Sequence, residues 1–435
     1  MQMIKKAKKL EEMFAVFDPF PLVEKEQFDE FYVDTYEARG ANVVKLMSFG
    51  LEYSLNPYMK ILFMGHRGSG KSTELSLLME ELKGQFEIIN FFIQNEIDTD
   101  NMTYIDFIFA IMSQIIKYIE TNTKLSLSNS DIEGLYNYWY GEKIIEESEF
   151  DYGEMAVDFS AKLSFLKQII LSGGGILKTG SESKTSLRRK IEPKVGYLVM
   201  LMNKIIQKIN KQLENEGSKG LLIIIEDLDK ISIDTAEGLF IRHRKTWLSL
   251  NARLVLTFPI FMAYNSQYSM IKEDVDMCCM LSMIKVTNRD KSSNEQGIDK
   301  LLEIIGRRTE LSLFEKDALM FLINKSGGAL RDLFQMIRDA SFDSLLNGSE
   351  MIMMKSAQNA YNKLKSENER LIRSEKDVEK LIEIYNEPQL LITDDTVMEL
   401  LLKGLVLEYN GERWCGIHPT VEDFLREKGK INDRG

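Results

Sequence analysis

The stretch that most constrains this chain covers residues 59–81, MKILFMGHRGSGKSTELSLLMEE. It opens with an apolar run at 61–64 suited to a strand buried on both faces of a parallel sheet, turns at Gly65, and closes on a helical pattern. Between them, residues 65–72 read GHRGSGKS and satisfy G-x-x-x-x-G-K-[ST] at every fixed position. Such a loop wraps phosphate. Gly68 and Gly70 permit backbone conformations closed to side-chained residues, so that successive N–H groups point inward, and the helix that follows adds the positive end of its dipole. Lys71 is placed to reach the β and γ phosphates of ATP, and the Ser72 hydroxyl to ligate Mg²⁺. The nucleotide-binding set is therefore Gly65, Gly68, Ser69, Gly70, Lys71, Ser72 and Thr73, with ATP and Mg²⁺ as cofactors. His66 and Arg67 occupy variable positions and read as loop side chains.

A P-loop requires an acidic strand end elsewhere, and residues 221–230, LLIIIEDLDK, supply it. Five large aliphatic residues mark a second parallel strand, and the acids fall where such strands end. Glu226 is the expected Mg²⁺ ligand with Ser72, Asp227 orients or deprotonates the attacking water, and Asp229 braces the loop. Residues 253–258, RLVLTF, form a further strand whose Thr257 could sense the γ-phosphate or position water. Arg242 and Arg244 lie on an intervening helix, either as an arginine finger for a neighbouring subunit or as a solvated face. Further on, SGGALRDL at 326–333 places Arg331 in the first turn of a helix, where a cation is unfavourable unless an anion such as phosphate compensates it. The expected catalytic residues are Asp227, Glu226, Thr257 and Arg331.

A chain of 435 residues, 44% hydrophobic and 28% charged, is long enough for two or three globular domains. No apolar run is long enough to span a bilayer, and no signal-peptide h-region follows the basic start, so no membrane association and a cytoplasmic location are expected. Cys278, Cys279 and Cys415 lack metal-ligand spacing and read as reduced thiols. The net charge of −12 gives no global attraction for nucleic acid.

The chain before Pro57 mixes turn signals with a helix at 42–55, and Tyr32 or Arg39 either approaches the adenine and phosphates or packs. Residues 121–190 read as an insertion. Within it, alternation over 157–165 predicts a half-buried strand, SGGG at 172–175 a break, and RRK at 188–190 a solvated helix end or a contact for an acidic or nucleic-acid partner. Residues 280–286 read as the last core strand.

GHRGSGKST, IIIEDLDK, the strand bearing Thr257 and the GGALRDL helix, in that order, resemble the Walker A, Walker B, sensor 1 and sensor 2 elements of AAA+ and related STAND-type ATPases, nearest to the origin-recognition branch and bacterial KAP-like ATPases. The resemblance spans about residues 32–346. It implies phosphate and Mg²⁺ binding by Lys71 and Ser72, metal and water service by Glu226 and Asp227, γ-phosphate sensing by Thr257, and a lid arginine at Arg331. The commonest pattern in that group ends the strand in Asp then Glu, whereas this chain has Glu226 then Asp227. The shorter acid changes the reach to water, which favours a slow nucleotide switch over fast hydrolysis.

Residues 376–435 predict helix, helix, a hairpin turning at Asn410-Gly411, and a final helix, an order that resembles a winged helix. His418 and Trp414 fit its core and wing. Eight basic side chains against thirteen acidic ones weaken a DNA-binding reading and favour a protein partner or an autoinhibitory contact. The predicted fold class is α/β: a P-loop parallel sheet with helices on both faces (58–308, insertion 121–190), an N-terminal segment (1–57), a helical lid and connector (309–375) and a winged-helix domain (376–435). The expected activity is an ATP-hydrolysing switch acting on assembly, as a homo-oligomer, or on a partner protein, with bacterial defence as one setting. The alternative is a DNA-binding ATPase, a loader or regulator acting through the winged helix.

Overall fold

Five short strands build the central sheet, and its inner runs at 61–64, 221–225 and 254–258 are apolar on both faces apart from Thr257 and are buried along their whole length. The computed structural model describes residues 5–122, 125–141, 158–168, 182–387, 394–409 and 414–432. Strands β1 (Lys60–Gly65), β2 (Glu87–Phe92), β3 (Leu221–Glu226), β4 (Arg253–Phe258) and β5 (Met277–Leu281) pair in parallel in the order β2-β3-β4-β1-β5. Their side chains alternate between two cores. Ile61, Phe63, Leu222, Ile224 and Val255 pack against the helices Val43–Tyr53 and Lys71–Leu82. Leu62, Met64, Ile223, Ile225, Leu254 and Leu256 face the helices Tyr104–Thr121 and Val195–Asn215 on the other side. The fold is thus the α/β P-loop type, with β1 central enough to set its C-terminal loop between the ends of β4 and β5.

Two strand expectations are overturned. Residues 159–168 are helical, not a strand. Phe159, Leu163 and Leu166 recur at helical spacing, and Leu166 is buried in the core beside the helix Asn129–Gly141, so packing one face of a helix satisfied the same apolar residues that also alternate. The last strand ends at Leu281 rather than running over 280–286: Met283, Ile284 and Val286 are buried in non-strand chain that leads to the helix Glu295–Arg308. Arg188 is not a free basic residue; it forms an ion pair with the fully buried Asp106. SGGG at 172–175 and the Asn410-Gly411 turn lie outside the described residues.

After the sheet, the helices Glu295–Arg308, Lys316–Lys325, Leu330–Leu346 and Met354–Glu369 enclose a separate apolar core, to which the N-terminal helix Leu10–Val16 adds Leu10, Met13 and Val16. The C-terminal residues form the helices Glu375–Asn386 and Asp395–Lys403, the antiparallel pair β6 (Val406–Tyr409) and β7 (Trp414–Ile417), and the helix Pro419–Glu427, which is the winged-helix order. Asp394 caps the helix Asp395–Lys403, its Oδ1 accepting from the Val397 N–H at 3.1 Å. Among the described residues, no helix is long and apolar enough to cross a membrane, and all three cysteines are free thiols.

Candidate nucleotide site

The loop after β1 is tight: the Ser69 N–H donates to the His66 carbonyl at 3.2 Å, and Gly70, at φ 102°, caps the helix Lys71–Leu82. Lys71 turns back over this loop. Its Nζ donates to the Gly65 and His66 carbonyls, both at 2.8 Å, and sits 2.9 Å from Asp229 Oδ2. Thr73 Oγ1 accepts from the Leu22 N–H at 3.2 Å, tying the N-terminal segment to the same helix. Arg39 lies beneath the loop, its Nη2 donating to the Ser69 carbonyl at 2.8 Å and its Nη1 to the Ser282 carbonyl. Burial lowers its pKa to about 10, so it remains charged at neutral pH. Tyr32 donates to Tyr36 (2.9 Å), which donates to Glu74 Oε2 (3.2 Å). Arg39 and Tyr32 therefore grip the backbone and helix of the loop from behind.

Opposite the loop, β3 ends at Glu226, 2% exposed, whose Oε1 accepts from Asn90 Nδ2 at 3.1 Å. Burial pushes its carboxyl up, against the opposing pull of the Ser72 hydroxyl and the Asn90 amide. Asp227 adopts φ 69°, a left-handed conformation that carries strain for a side-chained residue. Both of its oxygens are engaged, Oδ1 with Lys230 Nζ and Oδ2 with Gln94 Nε2, each at 2.6 Å. Thr257 Oγ1 accepts from the Leu228 N–H at 3.0 Å and so pins the turn that follows Glu226. Asp229 reaches the buried ammonium of Lys71. Its burial alone would raise its pKa, but Lys71, helped by Lys230 and a backbone N–H, holds the carboxyl below the usual range.

Arg331 lies against the loop from the start of the helix Leu330–Leu346. A Cβ built on Gly68 would meet Arg331 Cβ at 2.5 Å and Nε at 3.2 Å, so the lid helix Leu330–Leu346 starts directly against the P-loop. Gly328 has a second close approach, since a side chain there would collide with the Ile284 carbonyl oxygen. Arg242 and Arg244 stand apart from this group, paired with Asp234 and with Asp274 at 2.8 and 2.5 Å.

His66, which the sequence presents as a loop side chain, is 2% exposed, and its Nε2 accepts from the Glu408 N–H of β6 at 2.8 Å. Glu408 in turn accepts at its carbonyl from the Met283 N–H, and Tyr409 OH donates to the Gly327 carbonyl at 2.9 Å. His418 Nε2 lies 3.3 Å from Asp332, next to Arg331, while its Nδ1 accepts from the Thr420 N–H and caps the last helix. The C-terminal residues thus touch both the P-loop and the turn that precedes the helix Leu330–Leu346. No sequence signal marks His66 or Glu408 for this contact, because 342 residues separate them. Arg67, the other variable position, donates to the Lys230 carbonyl at 2.6 Å across the mouth of the site.

Ser69 Oγ and Glu226 Oε2 are buried without a hydrogen-bond partner among the described residues. Buried polar atoms are ordinarily satisfied. One hydroxyl and one carboxylate oxygen, beside Ser72 and the N-terminus of a twelve-residue helix, suit an Mg²⁺-bound polyphosphate.

No protein-family model and no curated protein matches the chain. Among solved structures, it is similar to Cdc6p from Pyrobaculum aerophilum (14% identity, TM-score 0.43, covering 97% of this chain and 91% of that one). It is also similar to a Walker-type ATPase of Pyrococcus abyssi (13%, TM-score 0.44, 94% and 99%) and to the ORC2 protein of Aeropyrum pernix (10%, TM-score 0.43, 96% and 98%). At these TM-scores the likenesses carry no weight for chemistry or partners.

Proposed function

We propose that the chain binds ATP with Mg²⁺ at the P-loop, hydrolyses it slowly, and uses its nucleotide state to control assembly or a partner protein. The observation that carries this reading is the convergence at one loop of three separate segments, bearing Lys71 with Ser72, Glu226 with Asp229, and Arg331. In it, Lys71 and the loop N–H groups hold the β and γ phosphates, with Gly65, Gly68, Ser69, Gly70 and Thr73 shaping the cradle. Ser72 and Glu226 hold Mg²⁺, which when bound neutralises phosphate charge. Arg331 meets the γ-phosphate, Asp227 orients water, and Thr257 keeps the acidic turn in register. Slow turnover follows from Asp227, whose carboxylate is anchored by Lys230 and Gln94 and reaches one methylene less far toward water than a Glu would. In this scheme residues 58–308 are the nucleotide-reading core and 376–435 the reporter, coupled through His66–Glu408.

Phosphate release together with mass photometry, with and without MgATP, tests this. Slow release and a nucleotide-dependent change in mass or partner capture are expected; no binding of nucleotide contradicts it. A gel shift with DNA that falls steeply as salt rises would move the reading to a DNA-binding ATPase.

A further inference from the structure

We propose that Asp229 is a positioning residue that competes with nucleotide phosphate for the Lys71 ammonium, so that nucleotide entry exchanges an internal carboxylate for a phosphate. This inference rests on the nucleotide-site reading above. A lysine ammonium has three donors, and those of Lys71 are committed to the Gly65 carbonyl, the His66 carbonyl and Asp229 Oδ2. A phosphate oxygen can reach Nζ only by displacing one of them. The two carbonyls belong to the loop that must itself cradle phosphate. Asp229 is the one charged partner, and with side-chain exposures of 6% and 5% the pair is shielded enough for the exchange to matter.

The segment carrying Asp229 supplies the means of exchange. Residues Leu228–Lys230 form one short turn, held at its start by Leu228 N–H to Thr257 Oγ1 and at its end by Arg67 to the Lys230 carbonyl. Arg67 lies within electrostatic reach of Asp229 and is exposed, so a cation is at hand to take the carboxylate when phosphate claims Lys71. The same turn begins with Asp227, so the displacement of Asp229 also shifts the acid assigned to water. Nucleotide entry and the placement of Asp227 are in this way one event, and the return of Asp229 to Lys71 assists release of the product.

The test compares wild type with the near-isosteric Asp229→Asn. The variant is expected to bind both ATP and ADP about tenfold more tightly, since a charge-assisted competitor has been removed. Its thermal midpoint without nucleotide should fall while the rise on adding MgATP grows, a combination that a purely structural role does not produce. Lys71→Gln and the double variant complete a cycle without nucleotide: the loss caused by Asp229→Asn should shrink in the Lys71→Gln background. Equal or weaker nucleotide binding by Asp229→Asn, or strict additivity in the cycle, overturns the competition. Failure of wild type to bind any nucleotide overturns the site reading and the competition together.

Discussion

Arg331 packs onto Gly68 so closely that a methyl group on the glycine would lie 2.5 Å from Arg331 Cβ. The lid arginine and the middle of the P-loop are thus in contact, and Gly68, at φ 77°, is required both by its backbone and by its neighbour. Gly68→Ala is expected to destabilise the fold by about 1–2 kcal/mol from the left-handed conformation alone. It should also weaken nucleotide binding by pushing Arg331 off the loop. Urea unfolding and equilibrium binding check both effects; unchanged stability would contradict the left-handed conformation of Gly68, and unchanged binding would mean that its contact with Arg331 does not shape the site.

Asp227→Asn leaves the P-loop, Ser72 and Glu226 intact but removes the carboxylate held between Lys230 and Gln94. The expected outcome is retained ATP binding with turnover reduced about 10²–10⁴-fold, the range typical of a lost general base. Single-turnover phosphate release measures it, and unchanged turnover would remove Asp227 from the chemistry.

The His66–Glu408 contact has a pH signature. Burial first, and then the nearby Lys71 charge, lower the His66 pKa from 6.5 to about 3. The unfolded chain therefore binds more protons at this group between those values, so stability rises with pH from about 3 to 6.5 and levels off above it. Carboxylates titrate in the same window, which makes the difference between wild type and His66→Gln the informative quantity. The pH slope attributable to one proton should vanish in the variant when unfolding is followed from pH 4 to 7. An unchanged slope would mean that His66 is not buried as a neutral acceptor.

Truncating that acceptor also tests the coupling. His66→Ala leaves the Glu408 N–H buried and unsatisfied, at about 1–3 kcal/mol. Hydrogen exchange should accelerate at the amides of Glu408 and its neighbours in β6. Unchanged protection there would mean that the P-loop and β6 are not coupled through His66.

The sheet was largely legible because its strands are written as unbroken aliphatic runs: the ends of β3 and β4 fall at Glu226 and Phe258, where the runs stop. The phosphate loop was legible for a different reason, since its chemistry demands fixed residue types at fixed spacing. Residues 159–168 misled because a ten-residue apolar pattern can satisfy both a two-residue and a 3.6-residue period, and only packing against the neighbouring helix decides between them. His66, Asp229 and Arg39 show the other limit. Each acts through a partner distant in the chain, at Glu408, Lys71 and Ser69, and nothing local in a sequence records a long-range hydrogen bond or ion pair.

The central claim is that this loop binds polyphosphate through Lys71. Isothermal titration of MgATP into wild type and Lys71→Ala, with circular dichroism to establish that both are folded, tests it most directly. Saturable binding by wild type and a loss of at least a hundredfold in the variant, about 2.7 kcal/mol, is the predicted result. Equal affinity in the two folded proteins would contradict it.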